Sequence, residues 1–149
     1  MEEKLIELET AMLAKEKNFD ITCDWGFRLY KKEFSREGNK IEIGTIESAF
    51  NVNNKDMAGS NVYDKIARPT QSLLQKWMRD VHNILIDVIP FYNEEDLPLT
   101  KTNRPKPKGY FVWDYYDEDF SEAKAEKFTN YEDASEQALI EGLKLIKIN

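Results

Sequence analysis

Pro69-Thr70-Gln71-Ser72-Leu73-Leu74-Gln75-Lys76-Trp77-Met78-Arg79-Asp80-Val81-His82-Asn83, running straight into Ile84-Leu85-Ile86-Asp87-Val88-Ile89-Pro90, is the stretch whose reading decides the fold class. Its first part has a helical period. Leu73, Leu74, Trp77, Val81 and Ile84 form a broad apolar stripe, with Lys76, Arg79 and Asp80 on the other side. Pro69 suits a first helical turn, where the N–H it lacks would have no partner anyway. The second part is β-rich. The change of period predicts a tight helix-to-strand junction near His82-Asn83, with Pro90 ending the strand.

Toward the N-terminus, residues 3–17 read as a helix, with Leu5, Leu8 and Met12 on one face and Ile6 and Leu13 beside them. Asn18 is placed as its left-handed stop, and Phe19 is expected to fold back onto Leu13 or Ala14. From residue 23 the period becomes two: Cys23, Trp25, Phe27 and Leu29 alternate with Asp24, Gly26, Arg28 and Tyr30. Ser35 to Lys40 is a polar turn containing Gly38, after which Ile41 and Ile43 resume the alternation. A β-hairpin follows, 24–34 pairing with 40–46. Residues 51–67 carry Asn51, Asn53, Asn54, Gly59, Ser60 and Asn61, which is loop chemistry.

Toward the C-terminus, Pro90, Pro98, Pro105 and Pro107 make residues 90–108 an extended loop. It has an acidic part, Glu94-Glu95-Asp96, and a basic part, Lys101, Arg104, Lys106 and Lys108. Gly109 then leads into Tyr110-Phe111-Val112-Trp113-Asp114-Tyr115-Tyr116, a β-prone strand expected to pair with 84–89. Asp117 to Lys127 is polar and reads as a turn or a short helix. Thr129-Asn130-Tyr131-Glu132 has the form of a capping box. The last helix runs to about Lys147, burying Ala138, Leu139, Gly142, Leu143 and Ile146, and Lys144 and Lys147 suit the negative end of its dipole.

Composition bounds the function classes. At 149 residues the chain fits one domain, 1–149, and needs no disulfide or metal staple to bury a core. The net charge of −7 opposes general nucleic-acid binding. The single cysteine, Cys23, excludes an internal disulfide, and one Cys with one His excludes a structural zinc site. Met1-Glu2-Glu3-Lys4 lacks the basic start and apolar run of a signal peptide, and no apolar run approaches the ~20 residues of a membrane span. A cytoplasmic location is the resulting expectation.

The candidate chemistry is sparse. His82, the only histidine, would need Asp80 or Asp87 for a catalytic or metal role; at a helix end it more simply meets free carbonyls. Cys23 would be a nucleophile only with a base such as His82, and its phase with Trp25 and Phe27 reads instead as a small buried apolar residue. Asp114, Asp117, Glu118 and Asp119 lack the spacing and glycine of a calcium loop and read as a solvated strand end. No phosphate-cradling glycine loop, paired histidine ligands or serine elbow is present, so no catalytic, cofactor or metal residue is assigned. One surface remains as a candidate binding site: Tyr92, Lys101, Arg104, Lys106, Lys108, Tyr110, Trp113 and Tyr115, the basic loop and the aromatic strand after it. Cations there would hold phosphates and aromatics stack on bases; the competing reading is a solvated proline-rich loop above core aromatics.

Three segments carry a resemblance. Pro69-Thr70-Gln71, then Gln75-Lys76-Trp77-Met78-Arg79-Asp80-Val81-His82 with Ile84-Leu85-Ile86, resembles a segment recurrent in small proteins of gut Bacteroidetes and their phages. Tyr131-Glu132-Asp133-Ala134 with Ala138-Leu139 and Gly142-Leu143-Lys144-Leu145-Ile146 is similar to their C-terminal end. Lys15-Glu16-Lys17-Asn18-Phe19-Asp20 is similar to a third, in which those proteins often have Gly at the position of Asn18. The resemblance implies a phage or prophage origin and carries no activity or site residues.

The expectation is an α+β fold in the order α-β-β-α-β-β-α, with three helices on one face of an antiparallel sheet of about four strands. The expected role is non-enzymatic: an accessory or interaction protein of a phage or prophage, acting through a protein partner or self-association in the host cytoplasm. The alternatives are nucleic-acid binding through 101–108 and 110–116, and a small enzyme using Cys23 or His82.

Overall fold

The computed structural model describes residues 3–31, 43–55, 63–92, 97, 107–115 and 127–148; at 31, 43–45, 63, 111–115 and 127 the description covers the backbone. The chain divides into two compact units, Glu3–Thr70 and Gln71–Asn149. The fold is α+β, built from α1 (Leu8–Glu16), β1 (Cys23–Lys31), β2 (Ile43–Val52), β3 (Tyr63–Ala67), α2 (Gln71–His82), β4 (Leu85–Phe91), β5 (Gly109–Tyr115), β6 (Lys127–Phe128) and α3 (Tyr131–Leu145).

The expected helices and hairpins are present in the expected order, but the strands form two antiparallel sheets, β2-β1-β3 and β4-β5-β6, rather than one. The reason lies in two strands that the sequence pattern hides. Within the supposed loop 51–67, β3 returns to pair with β1, Phe27 opposite Ile66 and Leu29 opposite Asp64. After the polar stretch, β6 takes the far side of β5, Tyr110 opposite Phe128. Each hairpin thereby gains a third strand, β3 on the far side of β1 and β6 on the far side of β5.

In the first unit α1 begins later than its periodicity suggests. Leu5 bridges to Thr70, Ile6 N donates to Pro69 O at 3.1 Å, and Arg68 Nε donates to Ile6 O at 2.7 Å. Those backbone groups are committed to another segment, so the helix starts at Leu8. Its buried face is Thr10, Ala11 and Ala14, and Met12 is exposed. Small residues there permit the close approach to β3 that Lys15 secures, its Nζ donating to Asp64 Oδ1 at 2.7 Å and to the Lys65 carbonyl at 2.8 Å. The helix ends as expected. Asn18 has φ 64°, Phe19 N donates to Ala14 O at 3.0 Å, Asn18 N donates to Lys15 O at 3.0 Å, and Phe19 is buried.

In the second unit α2 ends at Asn83, whose φ of 54° and N–H bond to Arg79 O at 3.1 Å turn the chain into β4. The buried stripe is Gln71, Leu74, Trp77 and Met78, rotated from the expected one, and Val81 is 61% exposed. Pro90 lies inside β4 instead of ending it, which an edge strand tolerates because one of its sides makes no ladder. β4 and β5 pair along their whole length, Leu85 opposite Tyr115 and Phe91 opposite Gly109. The cap of α3 is Asn130, one residue past the expected Thr129: its side chain accepts from Asp133 N at 2.8 Å. The expected buried face of α3 is observed. Gly142 brings α3 against its neighbours, since an added Cβ would overlap Ile86 Cδ1 and press on Met78 Sδ.

Candidate functional site

The apolar surface on the first unit's sheet is built from the backbone outward. β1 is its central strand, and at Gly26 β2 and β3 close over it. A Cβ there would lie 2.5 Å from Val52 Cγ2 and 2.8 Å from Ile66 O. At the end of β2, Asn51 adopts φ 50°, and the following asparagines fasten the turn. Asn53 Nδ2 donates to Asp20 O and Thr22 Oγ1 at 2.8 and 3.0 Å, and Asn54 Nδ2 donates to Phe19 O at 3.0 Å. Asn54 Oδ1 accepts from Ala67 N at 2.8 Å. These asparagines read as loop chemistry in the sequence; in the structure they tie the exit of α1 to β2 and β3.

On the sheet so held, the expected buried face of β1 is covered only in part. Cys23 and Leu29 are buried, and Phe27 is half-buried under the Arg68 guanidinium, 4.7 Å from its ring centroid. Trp25 is 44% exposed. Opposite it in β2 is Phe50, 65% exposed, with ring centroids 4.9 Å apart and planes tilted by 48°. Ile46, on the same face of β2, is 49% exposed. Trp25, Phe50 and Ile46 are therefore exposed apolar side chains on one face of this sheet, and of the three the strand alternation had placed Trp25 on the buried face. The sequence signal that could have found this face is β2 itself, where Ile46 and Phe50 recur with Ser48 between them.

Of the expected surface at 92–116, Lys101, Arg104 and Lys106 lie outside the described residues, and Trp113 and Tyr115 are placed by backbone alone, opposite Asp87 and Leu85. Tyr92 is half-buried, and Lys108 is exposed with its N–H donating to Phe91 O at 2.8 Å. Tyr110 meets the exposed ring of Tyr131 edge-on at 5.7 Å. The structure thus adds an aromatic neighbour from α3 to this region.

The two chemically versatile side chains sit in apolar settings. Cys23 lies in β1 with Sγ 3.4 Å from Ile21 O; burial, followed by the charge of Asp24, pushes its thiol up to about 11. It is protonated at neutral pH, the inverse of an activated nucleophile. His82 closes α2 with its ring edge-on to Trp77 at 4.5 Å, and its buried Nε2 has no hydrogen-bond partner among the described residues. Burial holds its pKa below the ordinary histidine value. Among the described residues no group of three or more His, Cys, Asp or Glu is gathered as a metal site, and no helix is long and apolar enough to cross a membrane. Comparison with models of protein families, with curated proteins and with solved structures finds no match to the chain.

Proposed function

We propose that the chain is a non-catalytic accessory protein of a phage or prophage that works by protein association in the host cytoplasm. The observation that carries the association is the exposed Trp25–Phe50 pair, with exposed Ile46 further along the same face of β2. Large apolar side chains grouped on a sheet surface are a cost in water that a protein contact removes. The origin rests on the segments around Pro69–His82 and Tyr131–Ile146 that resemble phage and Bacteroidetes proteins. The enzymatic reading is weaker because the Cys23 thiol is held protonated. The nucleic-acid reading is weaker because the net charge is −7.

The test compares the native chain with a Phe50→Arg variant, by light scattering and by retention of partners from extracts of the producing cell. The reading expects the native chain either to self-associate or to retain a partner that the variant loses. A native chain that stays monomeric and retains nothing that the variant loses contradicts it.

A further inference from the structure

We infer that the outer edge of β2 is a homodimer interface at which two copies pair their β2 strands antiparallel, about a two-fold axis through Ser48. This rests on the association reading above and names its partner as a second copy of the chain.

The first support is that, among the described residues, β2 is an edge strand without the usual guards. Natural edge strands are short, or carry lysine, proline or charge that discourages pairing. β3 has five residues and includes Asp64 and Lys65. β4 contains Pro90 and Asp87, and β6 has two residues. β2 has ten residues, Ile43–Val52, with no proline and no lysine. Its single charge, Glu47, already accepts a hydrogen bond from the Tyr30 hydroxyl at 3.1 Å within the sheet.

The second support is self-complementarity. Side chains alternate between faces, so a symmetric antiparallel pairing keeps its faces in register only when the axis passes through a residue. An axis at Glu47 would set two carboxylates against each other. An axis at Ile46 or at Phe50 pairs one of these residues with its own copy and leaves the other facing a residue outside the patch. An axis at Ala49 spends Phe50 on Ser48. The axis at Ser48 places each Ile46 opposite a Phe50 of the other copy, twice by symmetry, and Glu47 opposite Ala49. Aromatic and β-branched residues are favourable cross-strand pairs. Because Trp25 and Leu29 sit opposite Phe50 and Ile46 within each copy, the row across the joined sheet becomes Trp25, Phe50, Ile46, Leu29. The patches of the two copies then lie side by side on one face of the joined sheet.

The third support is electrostatic. Residues 1–70 carry 13 acidic and 11 basic side chains, so the part of the chain that would meet its copy is close to neutral.

Cysteine scanning tests the register. Native Cys23 is buried and stays silent, so it can remain in place. Ser48→Cys would lie opposite itself, within the ~7 Å Cα separation a disulfide allows. Glu47→Cys would meet its copy only on a diagonal of ~7–8 Å. Under mild oxidation, Ser48→Cys is expected to form a disulfide-linked dimer at least ~10-fold faster than Glu47→Cys, a contrast set by that separation limit. Adding Phe50→Arg to Ser48→Cys is expected to abolish the crosslink while circular dichroism stays native. A native chain that is dimeric but crosslinks equally at both positions, or with no effect of Phe50→Arg, overturns this interface and leaves the association reading standing. A native chain that stays monomeric overturns it too. If that monomer retains a partner through Phe50, the surface belongs to another protein's strand.

Discussion

Two side chains report their surroundings through protonation. Cys23 has a folded pKa raised to about 11. The stability contributed by keeping the thiol neutral is therefore complete below the unfolded value of about 8.5, and it is lost as pH rises toward 11. A thiol reagent at neutral pH is expected to label Cys23 only after denaturant is added; immediate labelling of the native chain would show that the site is open. His82 is shifted the other way, its pKa held down by burial. Its contribution is present above the unfolded value of about 6.5 and fades as pH falls through the folded value. Titration by NMR is expected to give a pKa below 6.5 for this single histidine, and a value at or above that would contradict its packing against Trp77. Neither environment is legible in the sequence beyond its outline. The phase of Cys23 with Leu29 shows a shared face, but whether that face is covered depends on which strands flank β1.

At the scale of elements, polar side chains join segments that periodicity treats separately. Gln71 is buried at the start of α2, donating to the Glu132 carbonyl at 3.1 Å and to Glu136 Oε2 at 2.9 Å on α3. Gln71→Ala leaves Glu136 with one donor fewer in a buried site and is expected to cost about 1–3 kcal/mol in denaturant unfolding; no measurable loss would mean that the pair is solvated. Gly26→Ala and Gly142→Ala, by forcing a methyl into filled space, should each cost about 1–3 kcal/mol by the same measurement. Helix ends were legible because they rest on local chemistry: Asn18 and Asn83 adopt the left-handed conformation that a side-chain amide tolerates well. The start of α1 and the strand β3 were not, because both depend on distant partners. Leu5 and Ile6 are drawn out of the helix by residues 68–70, and Tyr63–Ala67 becomes a strand only because β1 has a free side. Trp25 and Phe50 are the same case: alternation put Trp25 on an apolar face, and long-range pairing decided that this face is open.

For the whole molecule, charge and association pull in opposite directions. The net charge of −7 makes two copies repel at long range. The proposed contact between two β2 strands is apolar and acts only at short range. Added salt screens the repulsion and leaves the contact intact, so dimerisation is expected to tighten between low and physiological ionic strength. Binding to nucleic acid through Lys101–Lys108 would weaken over the same range, because each neutralised phosphate releases counterions. The direction of the salt effect therefore separates the two readings. The most direct measurement is sedimentation of the native chain and the Phe50→Arg variant over a dilution series at physiological salt. A reversible monomer–dimer equilibrium is expected for the native chain and a monomer at every concentration for the variant. A native chain that sediments as a monomer throughout, or a variant that dimerises as well as the native chain, would contradict the β2 interface.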